Sequence, residues 1–200
     1  MNVVDAIRQR RSVRRFADKT VPMQILKQLA GVVAECYPCP GNLQPLRFLI
    51  VDQPRDCERV FSCLKWAGLL NEFVIEENQR PKAYIIILGD RQISEDVQFC
   101  SGAAAAELML LAQEQGLASC CLTPAKKQQL QEILTLDGER MDIVCAVALG
   151  YPGQKSFAVP AGTSLRYFQD QDGNLCVPKR PASETVEFFD TGKPEKGEER

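Results

Sequence analysis

The chain has 200 residues, one domain's worth with room for a short appendage. At 45 % hydrophobic and 25 % charged it has an ordinary globular composition, which excludes a wholly disordered chain and lets roughly 70 % of the extended surface be buried. The net charge of −2 argues against a dedicated nucleic-acid binder, and no apolar run approaches the ~20 residues of a membrane span.

Met1–Asp5 carries no apolar core ahead of the arginines, so a secretory leader is not expected; Asp5 and few serines also argue against an organellar address. The expectation is a cytoplasmic protein. Val3, Ala6 and Ile7 share one face of a helix running from Asn2 to about Arg10. Pro22 opens a stronger helix to about Glu35, with Ile25, Leu26, Leu29, Val32 and Val33 at helical spacing. A turn-rich stretch, Pro38–Asn42, leads to a short strand over Phe48–Val51, then a helix over Arg55–Lys65. Ala83–Leu88 is a run of β-formers and predicts a buried strand.

Gly102–Gln115 is apolar almost all round and predicts a central buried helix, stopped by Gly116. A strand over Ser119–Leu122, a helix over Pro124–Leu134 and a buried strand over Ile143–Leu149 follow. Beyond Gly150 periodicity is lost. Asp170–Asn174 reads as a turn and Ser183–Phe189 as a short final element. The expected division is a domain over residues 1–189 and a charged tail over 190–200, the latter almost free of apolar residues.

Histidine is absent, which excludes Ser-His-Asp and Cys-His catalysis and His-ligated metals. Cysteines number nine, an odd count that argues against a disulfide framework. Cys100, Cys120, Cys121 and Cys145 read as small buried core residues. The CxxC at Cys36 and Cys39 has no second CxxC to complete a zinc site, so no metal is expected.

Two features point to chemistry. Arg8, Arg10, Arg11, Arg14 and Arg15 crowd into eight residues of a slightly acidic chain. If the first helix continues, Arg10 and Arg14 share a face, with the Ser12 hydroxyl between them. Guanidinium forks with a hydroxyl suit a phosphate monoester. Lys179-Arg180, between Pro178 and Pro181, is a second basic pair that would join such an anion site if the two converge. In the loop Pro38–Pro45, Asn42 and Gln44 both donate and accept, as the edge of a heteroaromatic ligand requires. The plainer readings are a solvated charged face and turn chemistry alone. Neither GxGxxG nor GxxxxGK[ST] occurs.

The ordered set Arg10-Arg11-Ser12-Val13-Arg14-Arg15-Phe16, Pro38-x-x-Gly41-Asn42-x-Gln44-Pro45-x-Arg47-Phe48, Leu64–Gly68, Arg80–Ile85, Gly102–Ala105 with Gly116-Leu117, Leu149-Gly150-x-Pro152 and Val177–Pro181 resembles the FMN-dependent nitroreductase family over about residues 2–188. The resemblance implies an α+β fold, a mostly antiparallel sheet flanked by helices in an intertwined homodimer. FMN would lie in clefts at the dimer interface. Arg10, Arg11, Ser12 and Arg14, with Lys179 and Arg180, would hold its phosphate and ribityl chain. Pro38, Cys39, Asn42 and Gln44 would contact the flavin, partly from the partner subunit. Lys65 would donate to the pyrimidine edge, and backbone at Leu122 and Thr123 would face N5. The small residues Gly102–Ala106 would suit close packing of helices in a dimer.

The implied activity is ping-pong transfer of hydride from NADH or NADPH to the flavin, then of electrons to a nitroaromatic, quinone or similar acceptor. No catalytic side chain is required, which agrees with the absence of histidine. The chain departs from the family pattern at Cys39, Cys100, Ala106 and Thr123-Pro124. The alternatives are a catalytically idle FMN-binding protein and a thiol oxidoreductase using Cys36 and Cys39.

Overall fold

The computed structural model describes residues 1–70 and 73–189. The β-former run becomes strand β2 (Ala83–Asp90), which an edge or one-faced strand could not be, since every one of its residues is buried. It pairs antiparallel with β1 (Leu46–Val51) on one side and β4 (Met141–Gly150) on the other; β3 (Ala118–Leu122) pairs antiparallel with the far side of β4. The sheet order is therefore β1-β2-β4-β3, with β1 and β3 at opposite edges.

Strand alternation divides the core. Ile85, Ile87, Val147 and Leu149 point to one face, against α2 (Met23–Cys36) and α4 (Gln98–Glu114) through Leu26, Leu29, Val33, Ala104 and Leu108. Tyr84, Ile86, Ala146 and Ala148 point to the other, against α3 (Pro54–Phe61) and α5 (Lys127–Ile133) through Val60 and Leu130. A short helix, α1 (Val3–Gln9), is capped by the Asn2 side chain accepting from the Asp5 amide at 2.9 Å. The expected α+β architecture, a mostly antiparallel sheet flanked by helices, is the one observed.

Boundaries move where tertiary contacts outbid local pattern. Helix α3 ends at Phe61 rather than near Lys65. The Cys63 carbonyl instead accepts from the Ala125 and Lys126 amides at 2.9 and 3.1 Å, which also delays α5 to Lys127. Helix α4 starts at Gln98, a turn before Gly102, and the Ser101 hydroxyl donates back to the Gln98 carbonyl at 3.1 Å. It stops as expected at Gly116, whose φ of +71° is cheap for glycine.

Beyond Gly150 the sequence shows no periodicity, yet β5 (Ser156–Pro160), β6 (Phe168–Gln169) and β7 (Leu175–Lys179) form a second sheet in the order β5-β7-β6. These strands are too short to display a pattern. The turn at Asp170–Asn174 is present, its carboxylate accepting from the Asp172 and Asn174 amides. The final element is reduced to a 3-10 turn at Ala182–Glu184. The tail expected over residues 190–200 lies outside the described residues. Among the described residues no helix is long and apolar enough to cross a membrane.

Candidate functional site

The arginine segment is not a continuation of α1. The helix stops at Gln9, and the chain turns extended to run beside the free edge of β3. Ser12 forms a parallel bridge with Ser119, and the Val13 amide donates to the Ser119 carbonyl at 3.0 Å. Arg10 and Arg14 do share a side, but through the two-residue alternation of extended backbone rather than helical spacing. Ser12 bridges Ser119, so Arg10, Ser12 and Arg14 alternate with Val13, which packs inward in the same cluster as Cys120. Burial pushes the Cys120 thiol up to about 11 against the pull of the arginines.

The odd-numbered arginines leave this face. Arg11 caps its own helix, donating to the Ile7 and Arg8 carbonyls at 3.3 and 2.5 Å. It lines a separate groove of about 400 Å³ with Val13, Leu117 and Phe157. Burial, then the charge of Arg10, lowers its pKa. Arg15 donates to the Val74 carbonyl at 2.9 and 3.2 Å and stacks over Phe73.

Phe16, 1 % exposed, is the anchor of the whole segment. Its amide donates to the Gln79 carbonyl at 2.7 Å; the Ala17 amide donates to the Tyr151 carbonyl at 2.9 Å and the Gly153 amide to the Arg15 carbonyl at 3.0 Å. Gly150 and Gly153 make the seat. A Cβ on Gly150 would come within 2.8 Å of the Phe16 ring, and one on Gly153 within 2.7 Å of the Phe16 carbonyl oxygen.

A second loop closes on the same place. Leu64 bridges Pro124, which sets the stretch holding Lys65 beside Thr123 at the end of β3. The Arg14 guanidinium stacks over Tyr167, 4.8 Å from the ring centre. The Tyr167 hydroxyl accepts from the Leu69 amide at 3.2 Å, and Arg166 donates to the Leu69 carbonyl at 3.2 Å. Arg10, Ser12, Arg14, Lys65, Leu122 and Thr123 are thus brought to one edge. Tyr167 was missed from the sequence because it sits in the stretch without periodicity.

The loop Pro38–Gln44 lies at the other edge. It precedes β1 at the end of the sheet where β3 finishes, but three strand spacings away, about 14 Å. Asn42 and Gln44 adopt positive φ (54° and 51°), and the Gln44 amide donates to the Asn42 side chain at 3.0 Å. Pro38 is exposed and Cys39 half-buried, its thiol donating to the Pro40 carbonyl at 3.7 Å. Cys36, its CxxC partner, is exposed at the end of α2, so the motif follows a helix rather than opening one. Lys179 and Arg180 are exposed at the end of β7, where the Lys179 carbonyl accepts from the Ala161 amide; the described contacts do not join them to the arginine face.

The charge balance shows what the arginine face can hold. Among the described residues no carboxylate salt-bridges Arg10, Arg14, Lys65, Lys179 or Arg180, whereas Arg47, Arg59, Arg80, Arg91 and Arg140 all have partners. The Arg14 Nε is buried and has no hydrogen-bond acceptor. A buried donor left unpaired costs free energy, so this one fits an anionic group with several acceptor oxygens. No group of three or more Cys, Asp or Glu side chains among the described residues is placed to hold a metal ion.

A mixed fold whose site is a set of uncompensated cations on a sheet edge, without histidine or metal cluster, defines a class that binds an anionic cofactor. Residues 7–151 match the sequence model of the nitroreductase family, and the chain belongs to that family. Solved structures share the fold. A Desulfovibrio desulfuricans protein designated a nitroreductase, solved in complex with FMN, is 25 % identical, with a TM-score of 0.70 over 95 % of this chain and 99 % of that one. An FMN-dependent nitroreductase from Clostridium difficile is 19 % identical, with a TM-score of 0.70 over 94 % and 99 %. A Staphylococcus epidermidis protein designated an NAD(P)H:FMN oxidoreductase is 18 % identical, with a TM-score of 0.69 over 94 % and 96 %. No curated protein matches the sequence.

Proposed function

We propose that the chain is an FMN-dependent oxidoreductase that takes reducing equivalents from NADH or NADPH and delivers them to a nitroaromatic, quinone or similar acceptor. The observation that carries this reading is the unpaired, buried Arg14 Nε on the face shared with Arg10 and Ser12. That arrangement matches a phosphate monoester. The FMN-containing structure of a family relative supports FMN as its bearer.

FMN supplies the two-electron chemistry when bound. The residues of this chain bind and orient. Arg14 and Arg10 offer charge to the phosphate, and Ser12 offers a hydroxyl. Tyr167 holds the Arg14 guanidinium flat and ties it to Leu69, in the loop that carries Lys65. Lys65, exposed in the stretch that runs beside Thr123, would offer positive charge to the pyrimidine edge. Leu122 and Thr123 present backbone at the end of β3.

We further propose a homodimer whose two clefts each combine the arginine edge of one subunit with the Pro38–Gln44 loop of its partner. Separation of the two sets across the sheet supports it, since one chain leaves them on opposite edges. So do the open side of Gly102 and the exposed Phe99 on α4, and the exposed Val3, Val4 and Ile7 on α1. Lys179 and Arg180 join the phosphate site in this assembly. Residues 1–189 form the FMN-binding domain, 190–200 its tail, and the cytoplasm, which supplies NAD(P)H, is its place.

The test is an absorption spectrum of the purified protein, repeated after anaerobic addition of NADH or NADPH. Flavin absorbance that bleaches supports the oxidoreductase. Flavin that stays oxidised with both donors supports the idle flavoprotein. No flavin after incubation with FMN overturns the reading.

A further inference from the structure

The groove of about 400 Å³ that Arg11 lines lies where the end of α1, the α4–β3 turn and the start of β5 meet. Lys155, Gln154, Ser156, Leu117 and Phe157 line it as well, and none of Arg10, Ser12 and Arg14 does. Its volume falls in the range of small-molecule sites, about 300–1,000 Å³. Leu117 is buried and Phe157 exposed, so an apolar ring is open to a ligand at one wall.

The charge of the groove is one-sided. No acidic residue lines it. Among the described residues neither Arg11 nor Lys155 has a carboxylate partner. Arg11 is held by the Ile7 and Arg8 carbonyls, which are neutral, so its charge is positioned without being compensated. Two uncompensated cations beside apolar surface suit an anion that carries an apolar body.

The hydrogen-bonding groups narrow the choice of anion. Six buried side-chain polar atoms among the described residues lack a hydrogen-bond partner, and two of them belong to this groove, Gln154 Oε1 and Ser156 Oγ. Such atoms cost free energy until they are paired. The Gln154 amide donates through Nε2 to the Gly173 carbonyl at 3.2 Å, which leaves Oε1 as an acceptor in want of a donor. A fully ionised phosphate or sulfate brings acceptors only. An organic acid with its own O–H or N–H brings both kinds of group, and the Ser156 hydroxyl can donate to its anion.

We propose that this groove is a second ligand site, apart from the arginine face, for a small aromatic carboxylate bearing a hydroxyl or amino group. The carboxylate goes to Arg11 and Lys155, the ring to Phe157 and Leu117, and the ring's donor to Gln154. The site does not depend on FMN.

The probe is para-hydroxybenzoate, titrated by calorimetry into the purified protein with FMN added to saturation; para-hydroxybenzamide is its neutral counterpart. The acid binds saturably, one molecule per chain, and the amide at least about tenfold more weakly. Lys155→Glu, at an exposed position, and Arg11→Gln each weaken the acid at least about fivefold. Phe157→Ala weakens acid and amide alike. Flavin absorbance does not move. No saturable binding, equal binding of acid and amide, or binding that survives both charge variants overturns the proposal. Binding that shifts the flavin spectrum assigns the acid to the flavin cleft and overturns it too. Lys155→Glu decides the matter even if Arg11→Gln fails to fold.

Discussion

The arginine segment and the Pro38–Gln44 loop carry the same promise in the sequence and are held in different ways. Residues 12–17 are tied to three other stretches by backbone hydrogen bonds, and by the Phe16 plug. The loop is held chiefly by its own turn geometry, with Gly41, Asn42 and Gln44 at positive φ, and by its base, where the Asp90 amide donates to the Pro45 carbonyl at 2.8 Å. A segment locked by its neighbours presents its charges in a fixed alternation. A loop held by its own turn leaves Asn42 and Gln44 exposed.

The largest expected effect comes from removing the anchor. Phe16→Ala leaves a cavity between Gly150 and Gly153 and costs about 3–5 kcal/mol, read as a lowered Tm, with FMN retention lost together with the arginine alignment. The next separates the two sides of the segment. Arg14→Ala weakens FMN binding about 10–100-fold, from the loss of a charged hydrogen-bond donor, while Arg11→Ala weakens it by less than about threefold, because Arg11 is spent on its own helix carbonyls. Equal effects in a flavin fluorescence titration would contradict the alternation.

The two edges can be tested together. In the proposed homodimer, Arg14→Ala and Asn42→Ala each damage both sites. Mixing the variants under exchange restores one intact site per heterodimer if each site draws on both subunits. No recovery of bound FMN would assign both residues to a site within one chain.

A smaller effect at neutral pH concerns the base of the loop. Asp90, fully buried, accepts from Arg140 Nε and Nη2, the latter at 2.7 Å, and lies 3.8 Å from Arg47. The Arg140 hydrogen bonds hold its carboxyl below the usual range. A depressed folded value means this stability is present above the unfolded carboxylate pKa of about 3.9 and is lost as pH falls through the folded value. Tm therefore drops on acidification below about pH 4, and Asp90→Asn flattens that drop. An unchanged acid slope would remove Asp90 from the account.

Much of the fold was legible. Leu26, Leu29 and Val33 at helical spacing, and the unbroken β-formers of Ala83–Leu88, each state a burial requirement that one kind of element meets. The site was legible in composition and not in geometry. Arg10 and Arg14 share a face, but through the Ser119 edge rather than helix continuation. Tyr167 had no local signal, because its role exists only once residues 166–168 meet Leu69 and Arg14. Cys121 reads like Cys120 and Cys145 in sequence and differs from them in being exposed.

By itself the sequence determined which segments must be buried, that α4 stops at Gly116, and that any catalysis works without histidine, because periodicity, turn residues and functional groups are local properties. Tertiary structure alone decided which arginines face together and that the two halves of the candidate site stand at opposite edges. Those depend on strand order and register, and both are set by long-range pairing that no short window of residues contains.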